Sequence, residues 1–156
     1  MWHPLTKGLI GMVLAAAAFG CGDRAGPVRL ETDRDSYVQA EGGPPEVAVV
    51  AVINPGEESI GITMCDLPGL DYDAAPLVLQ RRTGAETWEN VPATGFCPSS
   101  EGAYGVTIEG RVTTGVGQVT LDHESGEYRF VLEYEKGDGT FELATSNEFT
   151  TTIPVE

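Results

Sequence analysis

The sequence has little of what an enzyme or a nucleic-acid-binding protein needs. Its 156 residues include two histidines, three cysteines and only nine lysines and arginines, against 24 aspartates and glutamates. The formal net charge of −15 at pH 7 repels nucleic acid and anionic lipid headgroups, so we expect no nucleic-acid partner. The chain has no G-x-S-x-G motif, no phosphate-binding loop and no dinucleotide fingerprint.

The scarcity of histidine weighs against nucleophilic catalysis. A serine or cysteine hydrolase needs a histidine or an equivalent base beside its nucleophile. His123, in the acidic stretch LDHESGE, is the one histidine left once residues 1–20 are set aside. We interpret it as a solvated loop residue, and we expect no enzymatic activity, no catalytic residue and no cofactor.

The chain also lacks an apolar run long enough to span a bilayer as a helix, which takes about 20 residues. Leu9 to Gly20 is apolar over about a dozen residues, follows Lys7 and ends on small residues. These are the features of the hydrophobic region of a signal peptide. We therefore predict a signal peptide over residues 1–20.

Cys21 follows that run directly, in the stretch AFGC. Small residues before a cysteine resemble the lipobox of bacterial lipoproteins, with Ala18 standing where leucine is usual. The resemblance implies cleavage before Cys21 and acyl chains such as palmitate on it, which hold a protein on a membrane. Residues 21–27 would then be a lipidated, Gly-rich tether, and the expected location is the bacterial cell envelope, outside the cytoplasm. The alternative is an ordinary secreted protein with a free thiol at Cys21.

With Cys21 lipidated, Cys65 and Cys97 remain as one pair. Disulfides persist in the oxidising surroundings of an exported protein. A bridge between these two closes a loop of about 32 residues, which stabilises by roughly 3–4 kcal/mol in the chain-entropy model. The alternative is a metal site with Met64 and His123, although their spacing matches no recurrent ligand pattern.

The remainder of the chain predicts strands. From Pro27 onward no helical periodicity is evident, and short apolar segments recur at about ten-residue intervals between Gly- and Pro-rich turns. This spacing predicts an all-β sandwich. VRLETDRDSYVQA predicts a split edge strand, and EVAVVAVIN predicts a central strand covered on both faces. GEYRFVLEYE alternates so that Tyr128, Phe130, Leu132 and Tyr134 share one face.

Three further segments complete the predicted sheet. APLVLQRRTGAETWENVP predicts a hairpin that bends at Thr83-Gly84. VTIEGRV alternates as one strand from Val106 to Val112. TFELATSNEFTTTI closes the sheet, with Phe141 and Leu143 among its apolar residues.

Three stretches carry a family resemblance. SGEYRF before a long strand and the later SNEFTTTI look like the last two strands of a bacterial immunoglobulin-like domain, and LETDRDSY resembles its start. The resemblance implies an immunoglobulin-like antiparallel β-sandwich over residues 28–156, with Tyr128 as a tyrosine corner. The antibody-type disulfide does not carry over, because Cys65, Cys97 and Trp88 do not follow its arrangement.

The interval from Asp66 to Tyr104 is long for a small sandwich. Loops on a rigid scaffold often bind partners, and aromatic side chains dominate interface energetics. We therefore predict a candidate binding loop there. The alternative is that its rings pack over the end of the sandwich. The aromatic residues of this candidate loop are Tyr72, Trp88, Phe96 and Tyr104.

The same interval holds a weak calcium candidate in the stretch DLPGLDYDA. Asp66, Asp71 and Asp73 could converge on Ca²⁺, which takes six to eight oxygen ligands. Their spacing does not follow the EF-hand loop, and the alternative is that they are solvated turn residues.

Taken together, the sequence predicts a non-catalytic lipoprotein of the cell surface or periplasm, anchored to the membrane through Cys21. Its immunoglobulin-like domain would serve binding or assembly with a protein or glycan partner. The alternative is a secreted proteinase inhibitor that acts through the disulfide-closed loop.

Overall fold

The computed structural model describes residues 26–67, 73–95, 97 and 102–154. Those ranges hold no helix long and apolar enough to cross a lipid bilayer. Their regular elements are twelve strands. These are β1 (Arg29–Thr32), β2 (Ser36–Val38), β3 (Glu46–Asn54), β4 (Ile60–Asp66), β5 (Asp73–Ala74), β6 (Val78–Arg82), β7 (Trp88–Asn90), β8 (Ala103–Ile108), β9 (Val112–Leu121), β10 (Gly126–Glu135), β11 (Phe141–Thr145) and β12 (Phe149–Thr152).

The strands form two sheets. The smaller sheet has the order β1-β3-β9 and is antiparallel. The larger sheet follows the path β2-β12-β10-β4-β5, with β11 and β6 also on β10, β7 on β6 and β8 on β4. Its pairs are antiparallel except β2 with β12, which is parallel. The prediction of an all-β fold is confirmed for the residues that the structure describes.

One hydrophobic core joins the two sheets, an arrangement consistent with a β-sandwich. Val50 and Val52 enter it from the smaller sheet and Ile62 and Phe130 from the larger one. The predicted face of β10 is confirmed, because all four of its alternating apolar residues are buried in this cluster. Phe149 of β12 stacks on Phe130 with ring centroids 5.3 Å apart.

The predicted split edge strand is also confirmed, and its two halves belong to different sheets. β1 pairs with β3, whereas β2 pairs with β12. The polar residues Asp33 to Asp35 carry the chain across between the sheets.

The prediction that VTIEGRV forms one strand is wrong. β8 ends at Ile108 in the larger sheet and β9 begins at Val112 in the smaller one. Arg111 between them has a φ of 63°, in the left-handed region that breaks an extended strand. A Cβ at Gly110 would lie 2.3 Å from the Glu57 carbonyl oxygen, so glycine permits this close crossing.

The central strand β3 is covered on both faces over only part of its length. Val47 and Val49 are partly exposed on the outer face, and consecutive residues are buried only from Val50 to Val52. The prediction of two covered faces is therefore wrong for the first half of β3. Phe141 and Leu143 of β11, in the segment predicted to close the sheet, are exposed.

Candidate functional site

Part of the predicted binding loop is sheet. The interval from Asp66 to Tyr104 contains β5, β6, β7 and the start of β8. The predicted hairpin is confirmed as β6 and β7, and β6 also pairs with β10. Tyr72 and Phe96 lie outside the described residues, so the site can be followed only at Trp88 and Tyr104.

Trp88 lies on the outer face of the larger sheet. It stands opposite Arg82 in the hairpin, and the Arg129 guanidinium lies 4.4 Å from its ring centroid. Arg129 alternates along β10 with the buried Tyr128 and Phe130, so it points away from the core. Trp88 is half-buried by these arginines and does not belong to the core cluster. The position is a cation–π contact on the sheet surface.

Tyr104 occupies a separate place on β8. It stands opposite Met64 and is 44% exposed. Its hydroxyl donates to the Asp73 carboxylate, and this hydrogen bond raises the pKa of the Tyr104 phenol. The ring contacts found within the described residues join Tyr37, Tyr128 and Phe130 to Phe149 and include neither Trp88 nor Tyr104. The structure therefore does not bring these two candidate residues into ring contact.

The weak calcium candidate is only partly described. Asp66 and Asp73 stand opposite each other on β4 and β5, and Asp73 accepts the Tyr104 hydroxyl. Asp71 lies outside the described residues. Within the part of the chain that is described, no three His, Cys, Asp or Glu side chains gather as metal ligands do.

The predicted disulfide between Cys65 and Cys97 is confirmed, with Cα atoms 5.4 Å apart. Cys65 is buried at the centre of a strand triplet, opposite Ala74 on β5 and Ala103 on β8. The bridge therefore ties the segment after β7 to β4. The alternative in which these sulfurs bind a metal is wrong, because both are consumed in the bridge.

His123 lies between β9 and β10 and lines a shallow cleft with Arg81 and Glu89. Its Nε2 is 3.6 Å from an Asp122 carboxylate oxygen. Arg81 is paired with Glu124 across the same cleft. His123 is thus a partly exposed loop residue beside carboxylates.

Sequence reasoning missed a surface on β11. Leu143 stands opposite Glu133 and Phe141 opposite Glu135, so these four side chains share one face of the sheet. We call these four residues the β11 patch. The sequence does show apolar and acidic residues alternating in FEL of β11 and in YE of β10. The same alternation is equally compatible with Phe141 and Leu143 facing the core.

Comparison with known proteins supplies little. No family model matches the chain, and no curated protein matches it. A solved structure described as the X-ray structure of Northeast Structural Genomics Consortium target SoR45 is similar over 81% of this chain and 84% of its own. Its sequence identity is 15% and its TM-score is 0.42.

Proposed function

We propose that the protein is a non-catalytic lipoprotein of the bacterial cell envelope, in which Cys21 carries the lipid anchor and an immunoglobulin-like domain binds a partner. The anchor rests on the sequence, where a signal-peptide-like apolar run ends in AFGC. Two or more acyl chains suffice for stable anchoring. Residues 1–25, including Cys21, lie outside the described residues.

The observation that carries the domain assignment is the strand order. In an immunoglobulin constant-type sandwich, strands A, B, E and D form one sheet and C, F and G the other. With β1, β3 and β9 as A, B and E, the smaller sheet has the order A-B-E. With β4, β10 and β12 as C, F and G, the larger sheet contains the order C-F-G. Strand D has no counterpart in the smaller sheet, and β5 to β8 all belong to the larger one.

A second observation supports the same assignment. Tyr128, near the start of β10, is buried and donates a 2.5 Å hydrogen bond to the Glu124 carbonyl oxygen. A tyrosine near the start of strand F that bonds backbone a few residues upstream defines a tyrosine corner. The hydrogen bond of Tyr128 to the Glu124 carbonyl oxygen therefore supports the proposed assignment.

A tether from Cys21 would join the domain where the described chain starts. Gly26, Pro27 and Val28 line a surface recess with Lys136 and Gly137, in the turn between β10 and β11. Gly26 at this recess follows Cys21 by five positions, a stretch that can span at most about 17 Å. A domain anchored through Cys21 would therefore be held close to the membrane with this turn nearest to it.

The anchor is tested by metabolic labelling with radioactive palmitate in a bacterial host. We expect label in the natural chain and in the matched variant Cys65→Ser/Cys97→Ser, which keeps Cys21. We expect none in Cys21→Ser, which should leave the membrane fraction. Equal labelling of Cys21→Ser would overturn the anchor and favour an ordinary secreted protein.

A further inference from the structure

The β11 patch is the most exposed apolar surface that the described chain presents on neighbouring positions of one strand. Phe141 is 62% exposed and Leu143 is 65% exposed. They lie at i and i+2, so both side chains stand on the same side of β11. Single exposed apolar residues are ordinary, but two large ones side by side on one face mark a contact surface.

The charge around this apolar pair has one sign. Glu133 and Glu135 are exposed on β10 directly opposite Leu143 and Phe141. Among the described residues, no lysine, arginine or histidine lies within ion-pair distance of either carboxylate. The nearest basic side chain along the chain, Lys136, is paired with Glu142 instead. Two apolar side chains therefore stand beside two unneutralised carboxylates.

The outer edge of β11 makes no pairing with a described strand, although β1 of the smaller sheet passes beside it while pairing with β3. Within the described ranges β11 pairs with β10 on one side and with no strand on the other. An open edge presents backbone N–H and C=O groups to which an extended segment can add as a further strand. Such a segment would place alternate side chains over Phe141 and Leu143 and beside the carboxylates.

The charges decide which occupant fits. A second copy of this chain would bring another −15 charge and a second pair of glutamates to the same place, and like charges in register oppose association. An anionic lipid surface is repelled for the same reason. A segment that alternates apolar residues with lysine or arginine satisfies both the apolar pair and the carboxylates.

We propose that the β11 patch and its open edge bind an extended, basic segment of a partner protein, added as a strand to the larger sheet. This proposal rests on the proposed function, because it names the partner class of the anchored binding domain. It does not depend on the lipid itself, so the labelling experiment and the binding experiment can fail separately.

The test uses the full chain and an octapeptide of alternating lysine and leucine, with binding followed by the fluorescence anisotropy of a dye on the peptide. Two control peptides replace all lysines by glutamate or all leucines by serine. Phe141→Ser/Leu143→Ser removes the apolar pair, and Glu133→Gln/Glu135→Gln removes the charges. Val38→Ser is a matched apolar control, since Val38 is 61% exposed on β2 of the same sheet.

A matched charge control is Glu41→Gln. Glu41 lines a recess with Ile153 and Pro154. This recess lies at the end of the domain where β10 begins, opposite Thr151 of β12. Phe141 stands opposite Glu135, at the other end of β10. Neither Val38→Ser nor Glu41→Gln touches the β11 patch, so each should retain the affinity of the natural chain within about twofold.

We expect the lysine–leucine peptide to bind and each double variant of the patch to weaken it by about tenfold or more. Binding should weaken further as ionic strength rises from about 0.02 M to about 0.15 M. The amide resonances that shift should be those of Phe141 to Thr145. Equal binding of the glutamate peptide, or equal loss in Val38→Ser or Glu41→Gln, would overturn the proposal.

Two further measurements on the same variants distinguish other occupants of the β11 patch. Self-association of the natural chain that disappears in Phe141→Ser/Leu143→Ser would assign the surface to a second copy. The Cys21→Ser variant is also mixed with phosphatidylcholine vesicles. Vesicle binding that is lost when Phe141→Ser/Leu143→Ser is added to Cys21→Ser would assign the surface to the membrane. Either result would overturn the partner proposed here.

Discussion

The Tyr37 hydroxyl donates a 2.7 Å hydrogen bond to Oδ1 of Asp33, and the same oxygen accepts the Val49 backbone N–H at 2.8 Å. Tyr37 belongs to β2 of the larger sheet and Val49 to β3 of the smaller one. Asp33 lies where the chain crosses from β1 to β2. One carboxylate oxygen therefore links the two sheets at the crossing.

We expect Tyr37→Phe to lower the free energy of unfolding by about 1–2 kcal/mol, because a hydrogen bond to a charged acceptor is lost from a buried ring. Asp33→Ala should cost more, since it leaves both the Tyr37 hydroxyl and the Val49 N–H without this acceptor. Asp33→Asn is the matched control that retains the oxygen. Denaturant unfolding gives these values, and an Asp33→Ala cost below that of Tyr37→Phe would contradict the shared-acceptor arrangement.

Tyr128→Phe should cost about 1 kcal/mol in unfolding free energy. The lost bond is neutral, and Thr151 Oγ1 also donates to the Glu124 carbonyl at 3.2 Å, so this oxygen keeps a donor. Tyr104→Phe provides the control, because Tyr104 is exposed on β8. A cost of Tyr128→Phe no greater than that of the control would weaken the immunoglobulin-like assignment.

Breaking the Cys65–Cys97 bridge should lower stability by roughly 3–4 kcal/mol through the freed chain entropy of the unfolded state. The strands should persist, because the core cluster is built largely from other side chains. The measurement is the denaturant midpoint with and without reductant, with far-ultraviolet circular dichroism as the readout of strands. Cys65→Ser/Cys97→Ser should show no response to reductant. A response in that variant would mean that reduction acts elsewhere.

Trp88→Ala should leave the fold intact and lower stability by about 1 kcal/mol. That is the size of a cation–π contact at a partly exposed site, whereas a core tryptophan replaced by alanine costs about 3–5 kcal/mol. Arg129→Lys keeps a cation beside the ring and should cost less than Arg129→Ala. Thermal unfolding of the three variants decides the matter, and a Trp88→Ala cost in the core range would place the indole inside.

Stability should fall at alkaline pH, partly because of Tyr134. Burial, and then its hydrogen bond to Glu142, raises the pKa of Tyr134 from the ordinary value of 10.0 to about 12. A group whose pKa is higher in the folded than in the unfolded state contributes its full stabilisation below the unfolded-state pKa. That contribution is lost as the pH rises through the folded-state pKa. The loss should therefore run from about pH 10 to pH 12.

Tyr134→Phe removes this titration, so its unfolding free energy should fall less steeply over that range than that of the natural chain. Lys136→Gln is measured beside it, because the hydrogen bond to Glu142 also raises the pKa of Lys136 and this variant separates the lysine's titration from that of the Tyr134 phenol. Equal slopes for the natural chain and Tyr134→Phe would show that Tyr134 does not contribute to the alkaline loss.

Strand identity could be predicted from the sequence where the pattern was strong and local. The alternation of Tyr128 to Tyr134 and the bend at Thr83-Gly84 gave the correct β10 and the correct hairpin. The break at Gly110–Arg111 could not be predicted, because alternation continued through it and its cause is a close approach to Glu57. The outward position of Phe141 and Leu143 depends on the register of β11 against β10, which short-range periodicity does not specify.

The candidate site was predictable to a smaller extent. The disulfide follows from the cysteine count once Cys21 is set aside. The hairpin that carries Trp88 is predictable, but its place in the larger sheet is not, because nothing in its sequence shows that β6 pairs with β10. Contacts such as Asp33 with Val49 join positions 16 residues apart. They arise only when two sheets meet, so no local pattern encodes them.

The position of the bridge also bears on proteolysis. Cys65 and Cys97 enclose 31 residues, among them the whole β6–β7 hairpin. A protease that cuts once inside this interval separates the polypeptide into two pieces, yet the sulfurs keep them in one molecule. β6 would remain tethered beside β10 and could stay paired with it. On a denaturing gel, a single cut should thus be visible only after reduction, as two bands in place of one.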